Sequence, residues 1–171
     1  MRTTGLVLLA ALVVAGCSSP APRATPPGCG LIPRSAVVGL LGKDVETVRR
    51  GSVPDLRSGH RKASCRSSVP GRAERYVTVV AEYHPKPFRL PRTSCSEGWV
   101  YAGTPAKYAP ACQRTVDGHG RTDLFVRWQP YLVHVTIGRT NSDWAGDPEA
   151  ALAMSRSLAR RLGVREAAND G

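Results

Sequence analysis

The 171-residue chain has no apolar run long enough to cross a membrane. Its longest, Gly5 to Gly16, holds twelve residues, whereas a spanning helix needs about 20. Catalytic signatures are missing too. There is no Gly-x-Ser-x-Gly elbow, no His-Glu-x-x-His, no phosphate-binding loop and no dinucleotide fingerprint, so nothing announces a serine hydrolase, a zinc protease or a nucleotide enzyme. No Cys-x-x-Cys or paired Cys/His spacing occurs. A metal site therefore has no support from the cysteines, and no cofactor is expected. Acidic residues are scarce, 13 against 24 basic ones, for a net charge of +11. The few carboxylates are scattered, with no pair placed by local structure to act as acid and base. A basic surface favours anionic partners such as lipid headgroups and envelope polymers.

What is present begins at the N-terminus. Arg2 supplies a short positive region, Gly5 to Gly16 an apolar one, and Val14-Ala15-Gly16 places small residues directly before Cys17. This is the layout of a signal peptide with a lipoprotein cleavage site, in which the Cys17 thiol is acylated and the chain is cut before it. Each buried methylene adds about 0.8 kcal/mol, so two or three long chains anchor stably. The expectation is a protein held by acylated Cys17 in the lipid of the cell membrane, on its extracytoplasmic face. Nucleic acid is then not an expected partner. Ser18 to Gly28 carries four prolines among small residues and reads as an extended, disordered tether. The predicted organisation is a signal peptide over 1–16, acylated cysteine and tether over 17–28, one domain over 29–163 and a flexible tail over 164–171.

Setting Cys17 aside leaves Cys29, Cys65, Cys95 and Cys112. An even set in an exported chain reads as two disulfides, and four cysteines allow three pairings. Cys29–Cys65 and Cys95–Cys112 are favoured because each joins neighbours along the chain.

Ala36, Val37, Leu40 and Leu41 recur at helical spacing between Pro33 and Gly42, predicting a short helix over 33–41. Asp44 to Arg50 reads as a strand and Gly51 to Gly59 as a loop. Cys65 to Val69 reads as a strand ended by a Pro70-Gly71 turn, and Tyr76 to His84 as another, with Val77, Val79 and Ala81 on one face. Two further strands are expected over 98–101 and 107–116, then a turn over 117–120. Leu124, Val126 and Trp128 alternate with Phe125, Arg127 and Gln129, and Tyr131, Val133, Val135 and Ile137 alternate with Leu132, His134 and Thr136. These two runs predict an antiparallel pair turning at Gln129-Pro130. Asp147-Pro148-Glu149 opens a helix whose apolar face is Ala151, Leu152, Ser155, Leu158, Ala159 and Leu162, stopped by Gly163. The order predicts an α+β domain: an antiparallel sheet with a short N-terminal helix and a C-terminal helix packed on one face.

The stretches Cys29 to Pro33, Val37 to Gly42, Cys65 before its strand and Asp123 to Gly138, with the lipoprotein signal, the tether and an Ala/Leu-rich C-terminal helix, resemble a family of exported actinobacterial lipoproteins carrying a domain of unknown function. The resemblance implies a secreted α+β domain with disulfides. It implies no reaction and brings no functional residues.

Candidate sites are few. Arg49, Arg50, Arg57, Arg61, Lys62 and Arg66 fall in one basic stretch. It reads as an anion-binding face or as a solvated loop, and charge runs alone favour the loop. Trp99, His119, Trp128 and His134 are candidates for a ligand groove. Their plainer reading is core and strand packing for the tryptophans, a turn around His119 and a partly exposed strand position for His134. The function expected is a non-enzymatic binding module for a small ligand, an envelope polymer or a protein partner. The alternative is an envelope hydrolase built on His119 or His134 with a nearby carboxylate.

Overall fold

The computed structural model describes residues 30–86, 95, 100–103, 111–116, 119–140 and 147–164. Cys17, Cys29, Trp99, the signal, the tether and most of the tail lie outside the described residues. The first helix, α1 (Arg34–Leu41), follows Pro33 as expected, and Gly42 leaves it at φ +94°, a region that favours glycine. Strand β1 (Glu46–Arg50) comes next. Residues 53–57, expected as loop, form a short helix, α2 (Val53–Arg57). The Ser52 hydroxyl accepts from the Asp55 amide and donates to its carboxylate, Pro54 fills the first turn, and Val53 and Leu56 are buried. The residues that suggested a loop are thus a helix start.

Strands β2 (Lys62–Val69) and β3 (Arg72–Tyr83) turn at Pro70-Gly71, with Gly71 at φ +70°. β4 (Val100–Gly103), β5 (Ala111–Val116), β6 (His119–Trp128) and β7 (Tyr131–Arg139) follow, and α3 (Asp147–Leu162) closes the described chain. His119 and Gly120, expected in a turn, belong to β6, where His119 faces Val116 across the ladder. Gln129-Pro130 turns β6 into β7, as expected, through a cis peptide bond.

All seven strands form one antiparallel sheet in the order β1-β2-β3-β7-β6-β5-β4. Two meanders, β1–β3 and β4–β7, therefore meet where β3 pairs with β7. The core lies on one face. Val77, Val79 and Ala81 of β3 pair with Ile137, Val135 and Val133 of β7, and Leu124, Val126 and Trp128 continue the layer on β6; all are buried. All three helices cover this face. α3 packs on β6 and β7, α1 on β2 and β3, and α2 on β2 and α3. The predicted apolar face of α3 is buried throughout, together with Met154. Its entry is held by Arg139, whose Nε donates to the Asp147 carboxylate oxygens at 2.7 and 2.9 Å. Its exit is held by Arg57, which donates to the Arg161 carbonyl.

At the β3–β7 seam Gly138 faces Tyr76. A Cβ there would come within 2.5 Å of the Glu74 carbonyl oxygen and closer still to the Tyr76 ring. Gly138→Ala must displace backbone as well as a ring. Its unfolding free energy, measured by urea titration, is expected to fall by about 2 kcal/mol.

Candidate functional site

The second face of the sheet carries no helix among the described residues. Strand alternation sends to it what the core rejects. Cys112 of β5, Asp123 of β6, Thr136 of β7, Thr78 of β3 and Arg66 of β2 fall in one row across five strands. The neighbouring row pairs Phe125 with His134. The Cys95–Cys112 disulfide, with Cα atoms 5.6 Å apart, sets Cys95 over this face beside Asp123.

Asp123 is the centre of the face. Its side chain is 6 % exposed, an unusual state for a carboxylate. Thr136 Oγ1 donates to Oδ1 at 2.6 Å, His134 Nε2 lies 2.6 Å from the same oxygen, and Arg121 Nε lies 2.8 Å from Oδ2. Burial pushes the Asp123 carboxyl up. Hydrogen bonds from His134, Thr136 and Arg121 and the attraction of His134 outweigh it and hold the pKa below the ordinary aspartate value. For Arg121 burial works against the charge, and the Asp123 hydrogen bond reverses the balance and raises its pKa. Asp123 therefore stays ionised at neutral pH, and the nitrogen that His134 turns to it is the protonated one. Phe125 stacks on the His134 ring at 4.1 Å between centroids, and Arg66 lies 3.9 Å above the Tyr76 ring.

An Asp, a His and a Thr in contact invite comparison with a hydrolytic triad. The geometry differs in one decisive respect. Asp123 and Thr136 both approach Nε2 of His134, at 2.6 and 3.2 Å. A triad needs the acid on one ring nitrogen and the nucleophile on the other. The Thr136 proton is moreover committed to the Asp123 carboxylate. The cluster fixes a charge and a ring in place and does not prepare a nucleophile.

Thr78 Oγ1 is buried without a hydrogen-bond partner among the described residues. Thr78→Val keeps the shape and removes the unsatisfied hydroxyl. It is expected to raise stability by about 1 kcal/mol, read as a higher urea midpoint at unchanged slope.

The other sequence candidates do not assemble into one site. Trp128 is buried on the helix face, with its indole N–H donating to Ser155 of α3. His134 lies on the opposite face, and His119 sits at the far end of β6, its Nδ1 3.3 Å from the Thr140 carbonyl oxygen. The basic stretch also diverges. Arg57 is taken by the end of α3. Lys62 lies 3.8 Å from Glu82, and Arg66 covers Tyr76. Arg49 and Arg50 project to opposite sides of the edge strand β1, and Arg61 is exposed just before β2. Cys65 is disulfide-bonded to a partner outside the described residues. Asp123, Arg121, Thr136 and Phe125 escaped notice as site residues. The signal that would have found them was the strand register, since a two-residue turn at Gln129-Pro130 sets Asp123 against Thr136 and Phe125 against His134.

Among the described residues no helix is long and apolar enough to cross a membrane, and no three His, Cys, Asp or Glu side chains gather as a metal site would require. Comparison with protein-family models, with curated proteins and with solved structures finds no match.

Proposed function

We propose that this protein is a lipoprotein of the extracytoplasmic membrane face, anchored through Cys17, whose α+β domain binds a small ligand, an envelope polymer or a protein partner without transforming it. The anchor reading is supported by the placement of Val14, Ala15 and Gly16 before Cys17. One observation carries the binding reading. The helix-free face holds a buried carboxylate whose donors, Arg121, His134 and Thr136, are already engaged with it. A network whose Arg121, His134 and Thr136 protons converge on one carboxylate positions charge and aromatic surface for recognition. Cys65 is disulfide-bonded, and the reading takes Cys29 as its partner.

Two measurements on the full chain test this. Cys17→Ala is expected to move the protein from the membrane pellet to the soluble fraction; equal pelleting overturns the anchor. Native mass spectrometry of that soluble variant is expected to show excess mass that vanishes on denaturation. The denatured mass is expected to lie four hydrogens below the all-thiol value. A bare native mass that stays bare after incubation with envelope extract removes the binding reading. A polymer-cleaving activity lost in His134→Ala would select the hydrolase instead.

A further inference from the structure

A second feature lies away from the Asp123 network. Where β3 begins and β7 ends, against the last turn of α1, a cleft of about 410 Å³ opens between Leu40, Leu41, Arg72, Arg75, Ile137 and Arg139. Three guanidinium groups line it and no carboxylate does. Their partners differ. Arg139 is neutralised by Asp147, which is 1 % exposed. Arg75 gives one N–H to the Leu41 carbonyl at 3.2 Å and has no acidic partner among the described residues. The Arg72 side chain is exposed and makes neither a hydrogen bond nor an ion pair with the described residues. Glu74 accepts from Thr140, a lining residue, at 3.4 Å. Three cations against Asp147 and Glu74 leave the cleft positive.

We propose that this cleft binds a small phosphate ester, with the phosphate on Arg72 and Arg75 and the organic part against Leu40 and Leu41. A single guanidinium can saturate a planar carboxylate, but guanidinium groups arriving from several backbone positions suit the tetrahedral oxygens of a phosphate. The space is that of a small-molecule pocket, about 300–1,000 Å³, and exceeds what a bare anion fills. The apolar wall from α1 occupies the remainder. The Arg75–Leu41 hydrogen bond joins β3 to α1 and the ladder joins β3 to β7, so the site is set by the fold and not by a loose surface patch. The proposal concerns a different region from the Asp123 face, and its failure leaves the reading above standing.

The test is calorimetric titration of the purified full chain with hexyl phosphate and with inorganic phosphate. Hexyl phosphate is expected to bind at least tenfold more tightly than inorganic phosphate. Arg72→Gln, an exposed change that disturbs no contact, is expected to weaken hexyl phosphate at least tenfold. Leu40→Ser is expected to weaken hexyl phosphate and leave inorganic phosphate unchanged. Arg50→Gln on the distant edge strand serves as the charge control and is expected to bind like the wild type. No binding of hexyl phosphate, equal binding of both probes, or an equal loss in Arg50→Gln and Arg72→Gln each overturns the proposal.

Discussion

Replacing Asp123 with alanine is expected to lower the unfolding free energy by about 3 kcal/mol at pH 7. The carboxylate is buried while its partners are only partly so: the Arg121 and His134 side chains are 35 % and 28 % exposed. Removing one partner of a buried charged pair costs about 3–5 kcal/mol. Water reaching Arg121 and His134 keeps the loss at the lower end. Thr136, buried beside it, loses its acceptor as well. Asp123→Asn separates charge from shape. The wild-type carboxyl has a folded pKa below its ordinary 3.8, so the folded state binds fewer protons than the unfolded state as acid is added. That part of the stability is fully present above the unfolded value. It is lost as the pH falls through 3.8 and on past the lower folded pKa. The asparagine variant lacks this step, so its deficit against wild type shrinks as the pH falls. Urea titrations from pH 7 to pH 3 check this; parallel stability curves for wild type and Asp123→Asn would refute it.

The other large effect is expected in the core. Trp128→Ala should cost about 4 kcal/mol, since truncating a buried tryptophan typically costs about 3–5 kcal/mol. Trp128 is 4 % exposed, faces Tyr131 at the β6–β7 turn and joins the sheet to α3 through Ser155. Tyr131 in turn stands edge-on to Tyr83 at 5.6 Å and donates to the Leu56 carbonyl of α2 at 3.5 Å. The cavity therefore opens where the sheet meets two helices. Ser155→Ala probes the hydrogen bond alone and should cost about 1–2 kcal/mol by leaving the indole N–H unsatisfied. Combining Ser155→Ala with Trp128→Phe should cost less than the two singly, because the orphaned donor is then gone. Additive losses would mean that the hydrogen bond contributes nothing.

These two residues mark how far the sequence could be read. Alternation alone puts Trp128 and Ile137 in the core and Thr136 and His134 on the opposite face, because strand side chains have a period of two. The helical repeat of Ala151, Leu152, Ser155 and Leu158 likewise identifies the face of α3 that is buried. The site was harder. Its partners come from strands whose pairing must be known first, and only the short turn at Gln129-Pro130 betrays that register. α2 was hidden because Ser52 and Pro54 signal a break and a helix start with the same residues. Arg72, Arg75 and Leu41 share no local pattern. They meet through the pairing of β3 with β7 and the docking of α1, which no spacing along the chain reports.

That pairing has a kinetic consequence. Every other ladder in the described sheet joins strands consecutive in sequence, whereas β3 and β7 belong to different meanders. Each meander can assemble from neighbouring hairpins at small entropic cost, but the seam must first restrain the whole chain between Tyr83 and Tyr131. Non-local contacts of this kind set the pace of folding. The two halves are expected to collapse early and wait for one another, each exposing the strand edge that the other will pair. Until the seam closes, Val77 and Val79 on one side and Val135 and Ile137 on the other lie on open strand edges, and this interval is when the newly made chain is most exposed to mispairing with a second copy of itself.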